Sequence, residues 1–432
     1  MKKIFFLITS IQFFFTISGF DISSKVENNS RLFVFDGNIF SDILFFEAES
    51  KKNFNEKLDL YFDIQFENDL SVVIKNIKGL TDTENFNKNF FKIYEAKIFF
   101  RKYPFDFIDV TVGKTFYNIG KGFTVSPADI VNPDDLSDPL RMDRKVTKGM
   151  FLVESYFKFF DLNIIYSPFF VPSILPKGYI DLKDYFGNLN IKDSIIYPEN
   201  IFQSSELFIE ILKNINNFQT SCFYGYTRTT TPLPSNLKIQ MVTPILAFAD
   251  AKFHFPRMNT FGLSFSGSFA DASIWFDFVH NYIRDNKFKI DLTDFGKGIV
   301  DTSFSKDKIF FNFLIGFDYN ISGKYYFMTQ FVHGLRGTYG EENLNDYLFF
   351  YSRISFLNEK ILFEPLNFAY EIVDWKNLKN EGGLLINPKI TFNLMDDFSF
   401  GFSFYYINGT ERSYFKKIEK FGCLELTTKV FF

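Results

Sequence analysis

Between Asp59 and Glu67 apolar and polar residues alternate almost strictly. Leu60, Phe62, Ile64 and Phe66 fall on one side; Asp59, Asp63, Gln65 and Glu67 fall on the other. A period of two places successive side chains on opposite faces of a strand, so this stretch reads as a β-strand with one oily and one wet face. Residues 398–404 repeat the pattern with serine and glycine on the second face, and the chain ends with Leu424, Leu426, Val430 and Phe432 opposite Glu425, Thr427 and Lys429. Similar alternation covers 108–115, 151–159 and 311–318.

An antiparallel sandwich alternates too, but this chain yields far more strands than one sandwich holds, and its apolar faces are almost wholly Phe, Leu, Ile and Val. A membrane barrel accounts for both, with lipid against the oily side and a water-filled lumen against the other. The connections alternate as well. Short turns are read at 67–69, 103–104, 160–161, 214–217, 268–271, 321–323, 357–360 and 396–397. Longer polar segments fall at 80–89, 119–148, 169–204, 228–244, 284–307, 335–345, 375–383 and 408–418. The expected fold is all-β: a transmembrane antiparallel β-barrel of about 18 strands counted from Arg31, with short periplasmic turns, long extracellular loops and both termini in the periplasm.

Composition changes this picture little but closes other routes. The 432 residues hold 65 Phe and only 2 Trp, yet 23% are charged, with a net charge of -4. A soluble fold would bury so much aromatic surface; here its phase along the strands makes it a coat facing lipid. Met1-Lys2-Lys3, the apolar stretch 4–15 and the small residues Thr16, Ser18 and Gly19 have the layout of a secretory signal. Residues 1–20 are therefore expected to be a signal peptide and 21–432 the barrel. No later run of about 18 apolar residues offers a membrane helix. Cys222 and Cys423 cannot build a disulfide framework or a four-ligand zinc site, and the balanced charge leaves no nucleic-acid footprint.

One stretch carries a resemblance. Val112-Gly113-Lys114, Gly120, Pro127-Ala128-Asp129 and Asn132-Pro133-Asp134-Asp135-Leu136 resemble a segment of a large, mostly uncharacterised family of Gram-negative outer-membrane porin-like β-barrels, distantly similar to alginate-export porins. In that segment a strand and a glycine lead into P-x-D-x-x-N-P-x-D. Looser matches continue through Ser167-Pro168, Tyr224-Gly225-Tyr226, Gly316-Phe317-Asp318 and the closing strand. The chain departs from the pattern at Ile119, where the family usually has Trp, and Arg141, Arg144 and Lys145 match the following basic residues only in part. The resemblance implies a channel in the Gram-negative outer membrane, reached by export through the periplasm.

The segment 119–148 is the richest in candidate chemistry. Its prolines stiffen it, and Asp129, Asp134, Asp135, Asp138, Arg141 and Arg144 bring opposite charges close together. These six are the candidate pore constriction, a loop folded into the lumen whose field selects solutes. Strand parity puts Asp59, Asp63, Glu67, Lys97, Asp109, Glu154, Lys158 and Glu425 on the lumen wall, and this mostly acidic set predicts a weak cation preference or none. His254, His280 and His333 are scattered, no catalytic spacing occurs, and the carboxylates around Asp134 lack the regular ligand spacing of a calcium loop. No enzyme activity, cofactor or metal is expected. The expected partners are outer-membrane lipids and lipopolysaccharide, a small hydrophilic solute, and the barrel assembly machinery through the terminal Phe432. The function so read is passive diffusion or export of hydrophilic solutes; the alternative is a surface adhesin or scaffold acting through its extracellular loops.

Overall fold

The computed structural model describes residues 21–33, 39–69, 89–175, 190–243, 246–378 and 380–432. The expected signal peptide, most of the connection expected at 80–89 and part of that expected at 169–204 lie outside the described residues. The strands run β1 (Asp21–Phe33), β2 (Ile39–Asn55), β3 (Leu58–Asp69), β4 (Asn89–Phe100), β5 (Ile108–Thr115), β6 (Lys148–Tyr156), β7 (Asp161–Ser167) and β8 (Asn190–Ile196). They continue with β9 (Glu206–Ile215), β10 (Phe218–Arg228), β11 (Leu233–Thr243), β12 (Leu246–His254), β13 (Arg257–Phe269), β14 (Ala272–Ile283), β15 (Lys287–Leu292) and β16 (Gly298–Ser303). Last come β17 (Ile309–Ile321), β18 (Tyr325–His333), β19 (Asp346–Phe356), β20 (Ile361–Glu364), β21 (Asn367–Ile372), β22 (Gly382–Ile386), β23 (Lys389–Met395), β24 (Phe398–Gly409) and β25 (Cys423–Phe431). Two short helices, α1 (Ile201–Ser204) and α2 (Tyr414–Ile418), lie in connections.

Neighbouring barrel strands pair antiparallel, and the sheet closes where β1 pairs with β25 from Lys25↔Phe431 to Phe33↔Cys423. Two barrel strands are interrupted at proline, which has no N–H to give to a ladder. β20 and β21 both pair with β19 on either side of Pro365, and β22 and β23 flank Pro388 and both pair with β24. Counted as continuous strands, these make a closed antiparallel barrel of 18 strands.

The barrel agrees with the sequence-based fold, with differences in where it starts and turns. β1 begins at Asp21 rather than Arg31. Its outer positions include Asn28 and Ser30, joined to each other at 3.0 Å, so the oily face that betrays other strands is missing. The turn expected at 67–69 belongs to β3; the chain turns instead at 56–57, between β2 and β3.

The long connections are not plain loops. β8, β11, β12, β15 and β16, from the segments leaving β7, β10 and β14, form a second sheet in the order β16-β15-β11-β12-β8. Two of its pairings, β11 with β15 and β12 with β8, are parallel. Leu237, Ala249 and Ala251 form its small apolar core.

The wall is not simply oily outside and wet inside. Along β17, Phe311, Ile315 and Phe317 face outward and are exposed, while Phe310 and Leu314 face inward and are buried. Two inner apolar clusters result. One gathers Trp275, Leu314, Met328, Val332, Tyr347 and Phe415; the other gathers Met150, Leu152, Ile165, Phe208, Phe223 and Val279. Both pack against the segment between β5 and β6.

Candidate functional site

Residues 116–147 join β5 to β6 and form no barrel strand. Short-range hydrogen bonds shape them instead. Asn132 clasps the two ends of the segment, its Oδ1 accepting from the Tyr117 N–H at 2.8 Å and its Nδ2 donating to the Val146 carbonyl at 3.2 Å. Asp135 and Asp138 turn the chain locally, accepting from the N–H of Ser137 at 3.2 Å and of Leu140 at 3.2 Å. Such side-chain turns are what Asp and Asn favour over regular structure.

The segment reaches inward-facing side chains on opposite walls. On one wall, Tyr117 donates to Glu210 of β9 at 2.6 Å, Ser126 to Asp277 of β14 at 2.6 Å, and Lys121 to Gln219 of β10 at 2.6 Å. Gln330 of β18 accepts from the Phe123 N–H at 2.9 Å and donates to the Val125 carbonyl at 3.1 Å. Ile119, Ala128 and Val131 are fully buried in the apolar cluster there, worth roughly 1.5–3 kcal/mol for each large side chain. On the other wall, Asp138 lies 2.9 Å from Arg31 of β1, Arg141 3.2 Å from Glu27 of β1, Arg144 3.6 Å from Glu67 of β3, and Asp135 3.7 Å from Lys92 of β4. β1 and β10 stand roughly half the circumference apart in the strand order.

The six candidate constriction residues are thus brought together, but they divide by role. Asp129 and Asp134 share Lys145, at 3.0 and 2.9 Å, and both meet Arg336 from the connection after β18. With Asp138 they are buried under the segment and moor it. Arg141 and Arg144 are the more open members, their side chains 27% and 24% exposed. Burial alone would push the Asp138 carboxyl up, but the Arg31 guanidinium beside it holds it below the usual carboxylate range. Burial, followed by the neighbouring Glu210 carboxylate, raises the Tyr117 phenol.

Of the residues assigned by parity, Asp59 meets Arg101 and Lys51, Lys97 meets Glu95 at 3.0 Å, and Glu425 meets Arg31 at 2.6 Å. Glu154 stands opposite Asp109 in the ladder, and Asp109 accepts the Lys102 N–H at 2.8 Å. Lys158 is off the wall: β6 stops at Tyr156, and Lys158 lies exposed in the turn with its ammonium over the Phe159 ring. Asp63 is buried beside Glu47 and Glu49. Among the motif residues, Gly113 has a φ of 143°, and a Cβ there would overlap the Ala96 carbonyl of β4. A Cβ on Gly120 would strike Ser126. Pro133 accepts the Val146 N–H at 2.8 Å, and Pro127 is buried.

Patterning did not single out Glu27, Arg31, Lys92, Asp277 or Gln330, the wall partners of the segment, nor Arg336 in the connection after β18. The signal of the first five is only that each is polar on a strand; which of them meet follows from barrel closure. His333 ends β18, with Nδ1 2.6 Å from Asp346, whereas His254 ends β12 in the second sheet rather than on the barrel.

Two cavities flank the segment. One, of about 500 Å³, lies against β1–β4 and is lined by Lys25, Lys92, Arg141, Arg144 and Lys145 against Glu27, Glu67 and Asp135. The other, of about 390 Å³, lies between the segment, the connection after β18 and α2.

The closed barrel fold is also seen in known structures. OpdK of Pseudomonas aeruginosa, in its structure with vanillate, matches with a TM-score of 0.51 at 9% identity, over 96% of this chain and 98% of that one. This is the fold of an outer-membrane porin. OccD3 (OpdP) of the same organism matches with a TM-score of 0.50 at 7% identity, over 96% of this chain and 91% of that one. No protein-family model matches the chain, and no curated protein matches it. At such identities the likeness is one of fold.

Proposed function

We propose that this protein is a passive channel for small hydrophilic solutes, and that residues 116–147 form its constriction. The observation that carries this reading is the mooring of one segment to both lumen walls, which leaves cavities with charged side chains in their lining beside it. A barrel of 16–18 strands encloses an aqueous channel, so a segment fixed across it sets the passage rather than the barrel's girth. Arg141 and Arg144 are the groups a passing solute meets; Asp129, Asp134, Asp135 and Asp138 hold the segment in place.

The charge of the larger cavity runs against the sequence-based expectation of a weak cation preference or none. Five cationic side chains against three carboxylates favour small organic anions at this point. OpdK holds vanillate, a small organic anion, in its structure, which supports the same class here. The motif around Gly113, Gly120, Pro127, Asn132 and Pro133 supports membership of the porin-like family it resembles, and Phe432, at the seam, serves as the contact for the assembly machinery.

Planar-bilayer recording of the purified protein tests the channel directly, against a variant lacking residues 124–143. Step conductance that rises severalfold in the deletion, with swelling of sugar-loaded liposomes by the intact protein, is the expected result. Sealed vesicles, or a deletion with unchanged conductance and selectivity, would overturn it.

A further inference from the structure

The register across β2, β3 and β4 sets three carboxylates in one row on the lumen face. Glu49 stands opposite Asp63, and Asp63 stands opposite Glu95. Glu47 follows on β2, opposite Gln65. Like charges directly opposite each other destabilise a sheet, so such a row needs compensation.

The surrounding carboxylates have it: Glu95 from Lys97 at 3.0 Å and Glu47 from Lys25 at 3.1 Å. Among the described residues, Glu49 and Asp63 have no cation within ion-pair distance. Asp63 is only 5% exposed. Its Oδ2 receives one bond, from Gln65 at 3.3 Å, and its buried Oδ1 has no hydrogen-bond partner. A buried carboxylate oxygen without a donor is costly.

Carboxylate oxygens of Glu47, Glu49 and Asp63 all lie within 4.8 Å of one another. Calcium binds oxygens at about 2.3–2.6 Å, so two of its ligands stand no more than about 4.6–5.2 Å apart. The spacing fits one shared hard cation, and the exposure of Glu49 to the lumen gives it an entry route.

We propose that Glu47, Glu49 and Asp63 form a divalent-cation site for Ca²⁺ on the lumen wall, with water completing the shell. The cation cancels the row of like charge and gives the orphaned Asp63 oxygen its partner. Solute passage is a separate matter, since the site lies on the wall and not on the crossing segment.

Calorimetric titration of the purified, folded full chain with CaCl₂ in detergent tests it, beside E49Q, D63N, the double variant and D318N, which alters another wall carboxylate. The expected result is one Ca²⁺ per chain, affinity at least tenfold weaker in each single variant, no binding in the double variant, and an unchanged D318N. Heat-modifiable electrophoretic mobility and bilayer conductance establish that each variant is folded, and E49Q, at an exposed position, serves where D63N fails to fold. Absence of Ca²⁺ binding by the intact chain at millimolar concentration would overturn the site, and a proton shared by the three carboxylates would then be its compensation. Unchanged affinity in E49Q and the folded double variant would overturn it as well. A failure of channel activity alone leaves these titrations unaffected.

Discussion

The Arg31 guanidinium places its Nη2 2.9 Å from Asp138 and its Nε 2.6 Å from Glu425. One side chain, 3% exposed, therefore joins the first strand, the last strand and the segment 116–147. Removing it leaves Glu425 with no cation at ion-pair distance among the described residues and Asp138 with only Arg141, 3.7 Å away, a loss of about 3–5 kcal/mol in comparable buried pairs. Arg31→Met is expected to lower the denaturant midpoint of the folded barrel measurably and to make single-channel current noisier, as the segment loses its seam-side mooring. An unchanged midpoint with quiet current would contradict this.

Acid should release the same mooring. Because Asp138 is held below its ordinary value, its contribution is fully present above the unfolded pKa of roughly 3.9 and disappears as pH falls through the lower folded value. Conductance is expected to hold steady down to about pH 4 and to rise below it, and in Asp138→Asn to lose this acid-dependent step. Bilayer recordings across pH 3–7 measure it.

Charge reversal tests the solute class. Arg141→Glu with Arg144→Glu converts the two most open cations of the constriction into anions. The reversal potential under a salt gradient is expected to move toward cation selectivity by tens of millivolts, with conductance changed less than twofold. A potential that stays put would place selection elsewhere.

Glu371 of β21 is fully buried and gathers a set of donors onto one carboxylate. Asn345 and Tyr347 reach Oε1 at 2.7 and 2.9 Å, the Tyr414 N–H reaches it at 2.9 Å, and Ser413 and the Phe415 N–H reach Oε2. It fixes the connection between β24 and β25 over the smaller cavity. Glu371→Ala leaves these donors unpaired, at about 1–3 kcal/mol or more. Protease cleavage within 410–422 is expected to quicken while the barrel stays folded on gels.

Gly113→Ala should act on assembly. The backbone there sits at a φ of 143° against the Ala96 carbonyl, so any Cβ strains both its own backbone and the β4–β5 ladder. The folded fraction recovered by refolding is expected to fall severalfold, read from heat-modifiable mobility.

Most of the barrel was legible because lipid imposes one rule on every outer position: Leu60, Phe62, Ile64 and Phe66 announce β3 without any knowledge of its neighbours. The rule fails where lipid contact is weak or missing. β1 hides behind Asn28 and Ser30, and β16 in the second sheet, with Val300 between Gly298 and Thr302 on one face and Asp301 between Ile299 and Ser303 on the other, carries no such coat. The charge density of residues 119–148 was legible, but its division into buried ion pairs and more open arginines was not. That division depends on Glu27, Arg31, Asp277 and Arg336, which meet the segment only after distant strands close around it.

The seam between β1 and β25 has a consequence for how the molecule comes into being. The hydrogen bonds that finish the cylinder, including those between Ser24 and Phe432, join the most distant parts of the polypeptide. No local event can supply them, and topologies with such long-range pairing gain their reward late and slowly. Until its final residues arrive, the chain is an open sheet with two unpaired edges, one of them headed by a first strand too polar to shelter in lipid. The cylinder is therefore complete only when the last strand pairs with the first.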